Sequence, residues 1–288
     1  MRGFRAFCAV LAAVVIGGCS THSLREAQES YANAAAAEGA SSIGSRLSVL
    51  AQYKIALAAV DRVITERRAG LDKDGLLGVA YTLKALTQFK IADLETDAVV
   101  SGEGPSSRHP SFTEAKTKRQ ELLLFLRQVY PETGKPSVAY GTRDGAIMRS
   151  LYGLYDYIGG RAEPDHAKSV VWFKSALNQL EEARKVAPET HDVQAVIALY
   201  ELTVLAEWDW RAEQAGGGVD LGADAQGNDM VEFGTRRALC RTEPFWRGGG
   251  RPGLDRENLS VFWQKILIGG VAPTAAACAA MRLRGELN

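Results

Sequence analysis

IGSRLSVLAQYKIALAAVDRVITER, residues 43–67, decides the fold. Its apolar side chains Leu47, Leu50, Ala51, Ile55, Ala58, Val63 and Ile64 fall close to i, i+3, i+4, i+7 spacing. That spacing gathers them on one face of a helix. No segment of the chain shows sustained alternation of apolar and polar residues, and no Asn-Gly or Asp-Gly pair sits between β-branched runs. The signals of strands and hairpins are therefore missing.

The helical period continues on both sides of this stretch. Upstream, residues 22–37 place Leu24, Ala27, Tyr31 and Ala34 on one face. Downstream, Gly70 and Asp72 are expected to break the helix, and Asp74 to cap the next one, which runs to about Thr96 with Leu77, Tyr81, Leu86, Phe89 and Ile91. Residues 101–110 are rich in Gly, Ser and Pro and read as a loop. Ser111 or Thr113 opens a helix through Leu122, Phe125, Leu126 and Val129, which Pro131 to Pro136 ends. A Tyr-rich helix is expected over 142–158, stopped by Gly159-Gly160. Two more follow, over 163–187 with Pro188 as terminator and over 190–215 up to Gly216-Gly217-Gly218. The expectation is an all-α chain of helical hairpins in series, stacked as a repeat or packed as an irregular bundle.

Ala176, Leu180, Ala183 and Pro188 resemble the second helix and terminator of a tetratricopeptide repeat. Leu77-Gly78 followed by Tyr81 resembles the first helix of the same repeat. In that family small residues let paired helices approach closely, a bulky apolar residue fills the gap and proline ends the unit. The two half-matches lie in different hairpins, and no complete 34-residue unit is present. The resemblance implies a TPR-like body that binds a protein or peptide on a concave face.

The N-terminus carries a second resemblance. Arg2 and Arg5 precede an apolar stretch from Phe7 to Ile16, followed by Gly17, Gly18 and Cys19. This is the layout of a secretory signal. The stretch is too short to span a bilayer, which takes roughly 20 apolar residues. Ile16-Gly17-Gly18-Cys19 resembles the lipobox of bacterial lipoproteins. That family implies a diacylglyceryl group on the Cys19 thiol, a cut before it, and acylation of the new amino terminus, with palmitate as the expected chain. Two acyl chains already anchor stably. An Asp after the cysteine would imply inner-membrane retention. Ser20 stands there instead, which implies a periplasm-facing location at the outer membrane, with the inner membrane as the alternative. An ordinary signal peptide cut nearby, leaving Cys19 unlipidated, is the other reading.

These readings divide the chain into a signal at 1–18, a lipidated N-terminus and tether at 19–42, and a TPR-like helical domain at 43–215. A flexible loop at 216–232 and a C-terminal helical cap at 233–288 complete it. The cap includes expected helices over 254–268 and 273–283. It holds nine basic against four acidic residues.

The whole chain balances 34 basic and 34 acidic residues, and losing Arg2 and Arg5 with the signal leaves 32 against 34. Such a balance argues against a nucleic-acid partner. Apolar residues make up 46%, enough for a real core. Of four cysteines, Cys8 leaves with the signal and Cys19 is taken by lipid, so Cys240 and Cys278 remain as a pair in an oxidising compartment. A disulfide between them would stabilise by about 4 kcal/mol on the loop-entropy model. Two buried free thiols are the alternative.

Catalytic and metal motifs are scarce. His22, His109, His166 and His191 are scattered, with no helical pair spacing and no nearby cysteine ligand. No Gly-x-Ser-x-Gly elbow and no phosphate-binding Gly-rich loop ahead of Lys-Ser or Lys-Thr occurs. Asp220, Asp224, Asn228 and Asp229 miss the EF-hand frame. Glu201, Glu207, Trp208, Asp209, Trp210 and Glu213 put carboxylates beside aromatics on one helix, expected with Trp208 buried and the acids outward. The catalytic Glu-Ser of lytic transglycosylases, which are also often helical lipoproteins, finds a match only at Glu29-Ser30. Tyr140, Tyr152, Tyr155 and Tyr157 with Arg143 and Arg149 form the last cluster, of types favoured at binding hot spots and equally in helix interfaces. Tyr152, Tyr155 and Arg149 are the candidate binding residues. No catalytic residue, metal or cofactor is expected. The functional expectation is a non-enzymatic, membrane-anchored scaffold or assembly factor. A peptidoglycan-active enzyme and a helical periplasmic subunit serving a small-molecule transporter are the alternatives.

Overall fold

The computed structural model describes residues 21–40, 46–100, 110–131, 136–139, 141–188, 191–214, 237–241 and 275–283. Cys19, the Gly/Asp-rich stretch at 216–232 with its carboxylates, and the expected helix at 254–268 lie outside them. Among the described residues there are helices and no strands. They are α1 Thr21–Ala40, α2 Arg46–Lys73, α3 Leu77–Val100, α4 Pro110–Val129, α5 Arg143–Ala162, α6 His166–Val186 and α7 His191–Gln214. A short α8 spans 237–241, and α9 is Ala275–Leu283. None of them is long and apolar enough to cross a membrane.

Neighbours in sequence are neighbours in space. α1 packs on α2, α2 on α3, α3 on α4, α5 on α6 and α6 on α7. The short connections make these helical hairpins. α3 also meets α5, and α5 also meets α4 and α7, so α3 and α5 are the central helices. α3 is buried on nearly every side from Ala80 to Thr96.

The helix ends have local causes. Gly75, at φ +70°, stands just past the end of α2. Its N–H donates to the Asp72 carbonyl, and the Leu76 N–H donates to the Leu71 carbonyl. This is a Schellman cap, where glycine takes the left-handed position without steric cost. Gly70 does not break α2, which runs on to Lys73. Thr142 caps α5 by accepting from the Gly145 N–H at 3.0 Å, and Asp165 caps α6 by accepting from the Lys168 N–H at 3.2 Å. Pro188 lies just past the end of α6, as its spacing predicts.

Three expectations need correction. First, residues 21–40 are not a tether: Leu24, Ala27, Tyr31, Ala34 and Ala35 are buried in the same core as the rest. The apolar spacing of α1 is a local property; its docking surface on α2 is a tertiary one. Second, the inward face of α2 matches the expected one only in part: Leu50 and Val63 are buried as expected, whereas Ala51 and Ala58 are exposed and other residues face the core. Val49, Tyr53, Ala56, Val60 and Val63 are buried, while Leu47 is 79% and Ile55 64% exposed. Third, Gly159-Gly160 does not end α5, which continues to Ala162.

Those glycines are packing residues. A Cβ on Gly160 would sit 2.6 Å from the Phe173 ring, and one on Gly153 would sit 2.9 Å from the Ala176 carbonyl oxygen and 3.0 Å from the Leu180 side chain. α5 and α6 therefore approach so closely that only hydrogen fits at these points. Ala176, Leu180 and Ala183 are fully buried on the α6 side, as expected. Phe173 is carried inward, where it stacks on Trp208 at 6.3 Å and lies 6.5 Å from Tyr157.

Gly153→Val should force the two backbones apart, costing about 1–3 kcal/mol through overpacking. Ala58→Val on the exposed face of α2 should change stability by less than about 0.5 kcal/mol. Chemical denaturation of both variants checks the contrast; equal midpoints would refute the close-packed interface.

Candidate functional site

The Tyr-rich segment divides into core and rim. Tyr152 is 6% exposed, and its hydroxyl donates to the Tyr130 carbonyl at 2.9 Å. It is a core residue and offers no ring to a partner, which corrects its assignment as a binding residue. Arg149 lies against it, with the guanidinium carbon 5.7 Å from the ring centre. Tyr157 is also buried. Tyr155 is half-buried at the rim, and its ring meets Trp172 edge-on at 6.4 Å.

Against both Tyr155 and Trp172 lies Arg119 of α4, its guanidinium carbon 4.7 Å from one ring centre and 4.9 Å from the other. Both rings attract the cation. No carboxylate among the described residues pairs with Arg119, and its buried Nε has no hydrogen-bond partner there. Beside it is a half-open cavity of about 170 Å³, walled mainly by Ala115, Ile158, Gly159, Pro164, Trp172 and Arg119. A Cβ on Gly159 would meet Arg119 Nη1 at 2.6 Å and Trp172 Cε3 at 2.9 Å, so glycine keeps this space open.

Two of the acids of α7 are not outward. Glu201 and Glu207 are both buried, together with Trp208. Glu201 Oε1 lies 2.7 Å from Arg184 Nη2 and 3.1 Å from Arg241 Nη1. Glu181 adds a second carboxylate, 3.6 Å from Arg241 and 3.7 Å from Arg237. Glu207 faces Arg161 at 3.4 Å and Arg211 at 3.6 Å. Arg161 also pairs with Asp93 at 2.6 Å and with Asp97, and lies 5.5 Å from the Tyr157 ring centre. An unpaired buried charge is costly, which is why these acids and bases gather.

The electrostatics follow from this pairing. Burial alone would raise the Glu201 pKa, but Arg184 and Arg241 outweigh it and hold the carboxyl below its ordinary value. A carboxyl held ionised in this way is a poor general acid. Burial brings Arg241 down to about 10, with Glu201 opposing and Arg184 and Arg237 assisting. Burial also works against the Arg161 cation, yet Asp97, Tyr157, Glu207 and Asp93 together lift its pKa well above the usual value.

Cys240 of α8 and Cys278 of α9 form a disulfide, with Cα atoms 5.2 Å apart. Met281 shares their small buried cluster. The disulfide expectation holds, and the free-thiol alternative falls. Arg237 and Arg241, on the same short helix as Cys240, carry this stapled piece onto Glu181 and Glu201 of the body.

The remaining candidates lie elsewhere. Glu29 is exposed on α1 and pairs with Arg25 at 3.0 Å. His22 is exposed beside Glu26, and His166 is half-buried. The side chains of His109, His191, Asp209, Trp210 and Glu213 lie outside the described residues, as does Tyr140. Among the described residues no group of three His, Cys, Asp or Glu could hold a metal. Arg119 and Trp172 carry no sequence signal of a site. Arg119 sits in a basic, solvent-facing run, and Gly159 reads as a helix stop. No protein-family model, curated protein sequence or solved structure matches this chain.

Glu201→Gln should destabilise by about 3–5 kcal/mol at neutral pH, because Arg184 and Arg241 lose their counter-charge. Because its folded pKa is lowered, the Glu201 contribution is fully present above the ordinary value of 4.5 and is lost as pH falls through the folded value. The stability curves of parent and variant should therefore converge on acidification. A gap that stays constant from pH 7 to about pH 3 would refute the pairing.

Proposed function

We propose that this chain is a lipid-anchored lipoprotein facing the periplasm at the outer membrane, with a TPR-like helical body that binds a protein or peptide as scaffold or assembly factor. The lipobox-like run Ile16-Gly17-Gly18-Cys19 carries the reading. The helical hairpins are consistent with an interaction body, since such hairpins present broad faces rather than a convergent cleft. α1 begins at Thr21, so a lipidated Cys19 would hold the body close against the membrane surface.

The catalytic alternative finds little support. Glu29, the one match to a transglycosylase acid, points outward in a surface ion pair, and Glu201 and Glu207 are locked to arginines. The subunit serving a small-molecule transporter gains one specific observation, the cavity beside Arg119.

Cells fed an alkyne fatty acid should label the protein, and Cys19→Ala should abolish the label; persistent labelling of that variant would sink the anchor. The anchored protein, purified from detergent-solubilised membranes, should retain a stoichiometric protein partner. It should also release no muropeptides from peptidoglycan sacculi. Release that Glu29→Gln abolishes would overturn the non-enzymatic reading.

A further inference from the structure

We propose that the cavity beside Arg119 binds a small aromatic carboxylate. This stands apart from the lipid anchor and from the partner-binding reading. Arginines elsewhere in the body have carboxylate partners: Arg161 meets Asp93 and Glu207, Arg184 and Arg241 meet Glu201, and Arg211 meets Glu207. Arg119 has no such partner among the described residues, and its Nε is buried without an acceptor. The rings of Tyr155 and Trp172, which touch each other, both lie against the guanidinium. Ring contact steadies a guanidinium but accepts from none of its in-plane N–H donors. Those donors match a carboxylate, which a guanidinium can bind through two parallel hydrogen bonds.

The rest of the cavity sets the body of the ligand. Ala115, Ile158, Gly159 and Pro164 supply apolar wall, and Trp172 supplies an aromatic one. Its volume of about 170 Å³ is close to the roughly 150 Å³ of an apolar cavity that takes benzene. One six-membered ring fits; a large cofactor does not. Lys116 adds a second positive charge to the lining. Glu163 also lines the cavity, but its carboxylate makes no ion pair with Arg119, and its Oε1 accepts from the Asp165 N–H at 3.2 Å. The missing side chain at Gly159 completes the site, because a methyl there would press on Arg119 and Trp172 together.

Benzoate is the probe, titrated into the purified full-length protein by calorimetry and by saturation-transfer NMR. It should bind with a Kd of about 0.1–1 mM, as suits so few atoms. Benzamide, which keeps the ring and loses the charge, and acetate, which keeps the charge and loses the ring, should each bind at least about tenfold more weakly. Arg119→Met keeps the packing stem and should weaken benzoate at least about tenfold with its melting temperature little changed. Gly159→Ala should weaken benzoate as well. The comparison of benzoate with benzamide needs no variant, so it decides even if Arg119→Met fails to fold. Equal binding of the two, or silence with benzoate up to about 10 mM, overturns the proposal. So does binding of an acetylated Trp-Glu dipeptide with benzoate silent, which would mark the cavity as a peptide-docking point.

Discussion

Gly153, Gly159 and Gly160 let α6 approach α5 until side-chain carbons have no room, and much of the fold depends on that approach. It seats Phe173 over Gly160 and against Trp208, joining α5, α6 and α7 into one apolar centre. It brings Trp172 over Gly159, which creates the wall of the cavity and one of the two rings around Arg119. Glycine inside a helix costs up to about 1 kcal/mol relative to alanine. Three of them in one helix are tolerable only where tight packing returns more, and α5 is central enough to do so.

The second constraint is electrostatic. α3, α5 and α7 each bring charge to one buried point: Asp93 and Asp97 from α3, Arg161 from α5, Glu207 from α7. Apolar packing alone tolerates small slides between helices, whereas a buried ion cluster tolerates none without leaving a charge unpaired. Arg211 extends the cluster by donating to the carbonyls of Glu163 and Arg161, at the end of α5. The same logic ties the stapled C-terminal piece to the body. The disulfide orders α8 against α9, and that ordering aims Arg241 at Glu201.

Much of the helical order was legible, because period and punctuation are local properties. Thr142 and Pro188 act at α5 and α6 much as their residue types imply. Facing was less legible. α2 carries two apolar stripes, one through Val49, Tyr53, Ala56, Val60 and Val63 and another through Leu47, Ala51, Ile55 and Ala58. Period alone gives both equal standing; the neighbours α1 and α3 choose the first. Gly159-Gly160 shows the same limit, since a glycine pair reads identically as a stop and as a contact. The buried acids of α7 were misplaced for a related reason. Their partners Arg161, Arg184 and Arg241 lie 17 to 46 residues in sequence from the acid each one meets, beyond any local pattern.

The candidate site was illegible because its informative property is a missing partner. Every arginine looks alike in sequence, and most of those buried here serve to neutralise acids. Arg119 differs only in what stands around it: two rings from α5 and α6, a glycine that withholds a side chain, and no carboxylate in ion-pair contact among the described residues. A cation placed for structure alone would gain from an acid at Ile158 or Ala162, positions that line the same cavity and are apolar instead. The cavity thus keeps an open anion subsite beside an apolar bed, in a body that elsewhere closes its buried charges with partners. That contrast, rather than the presence of an arginine, is what gives the cavity its chemical meaning.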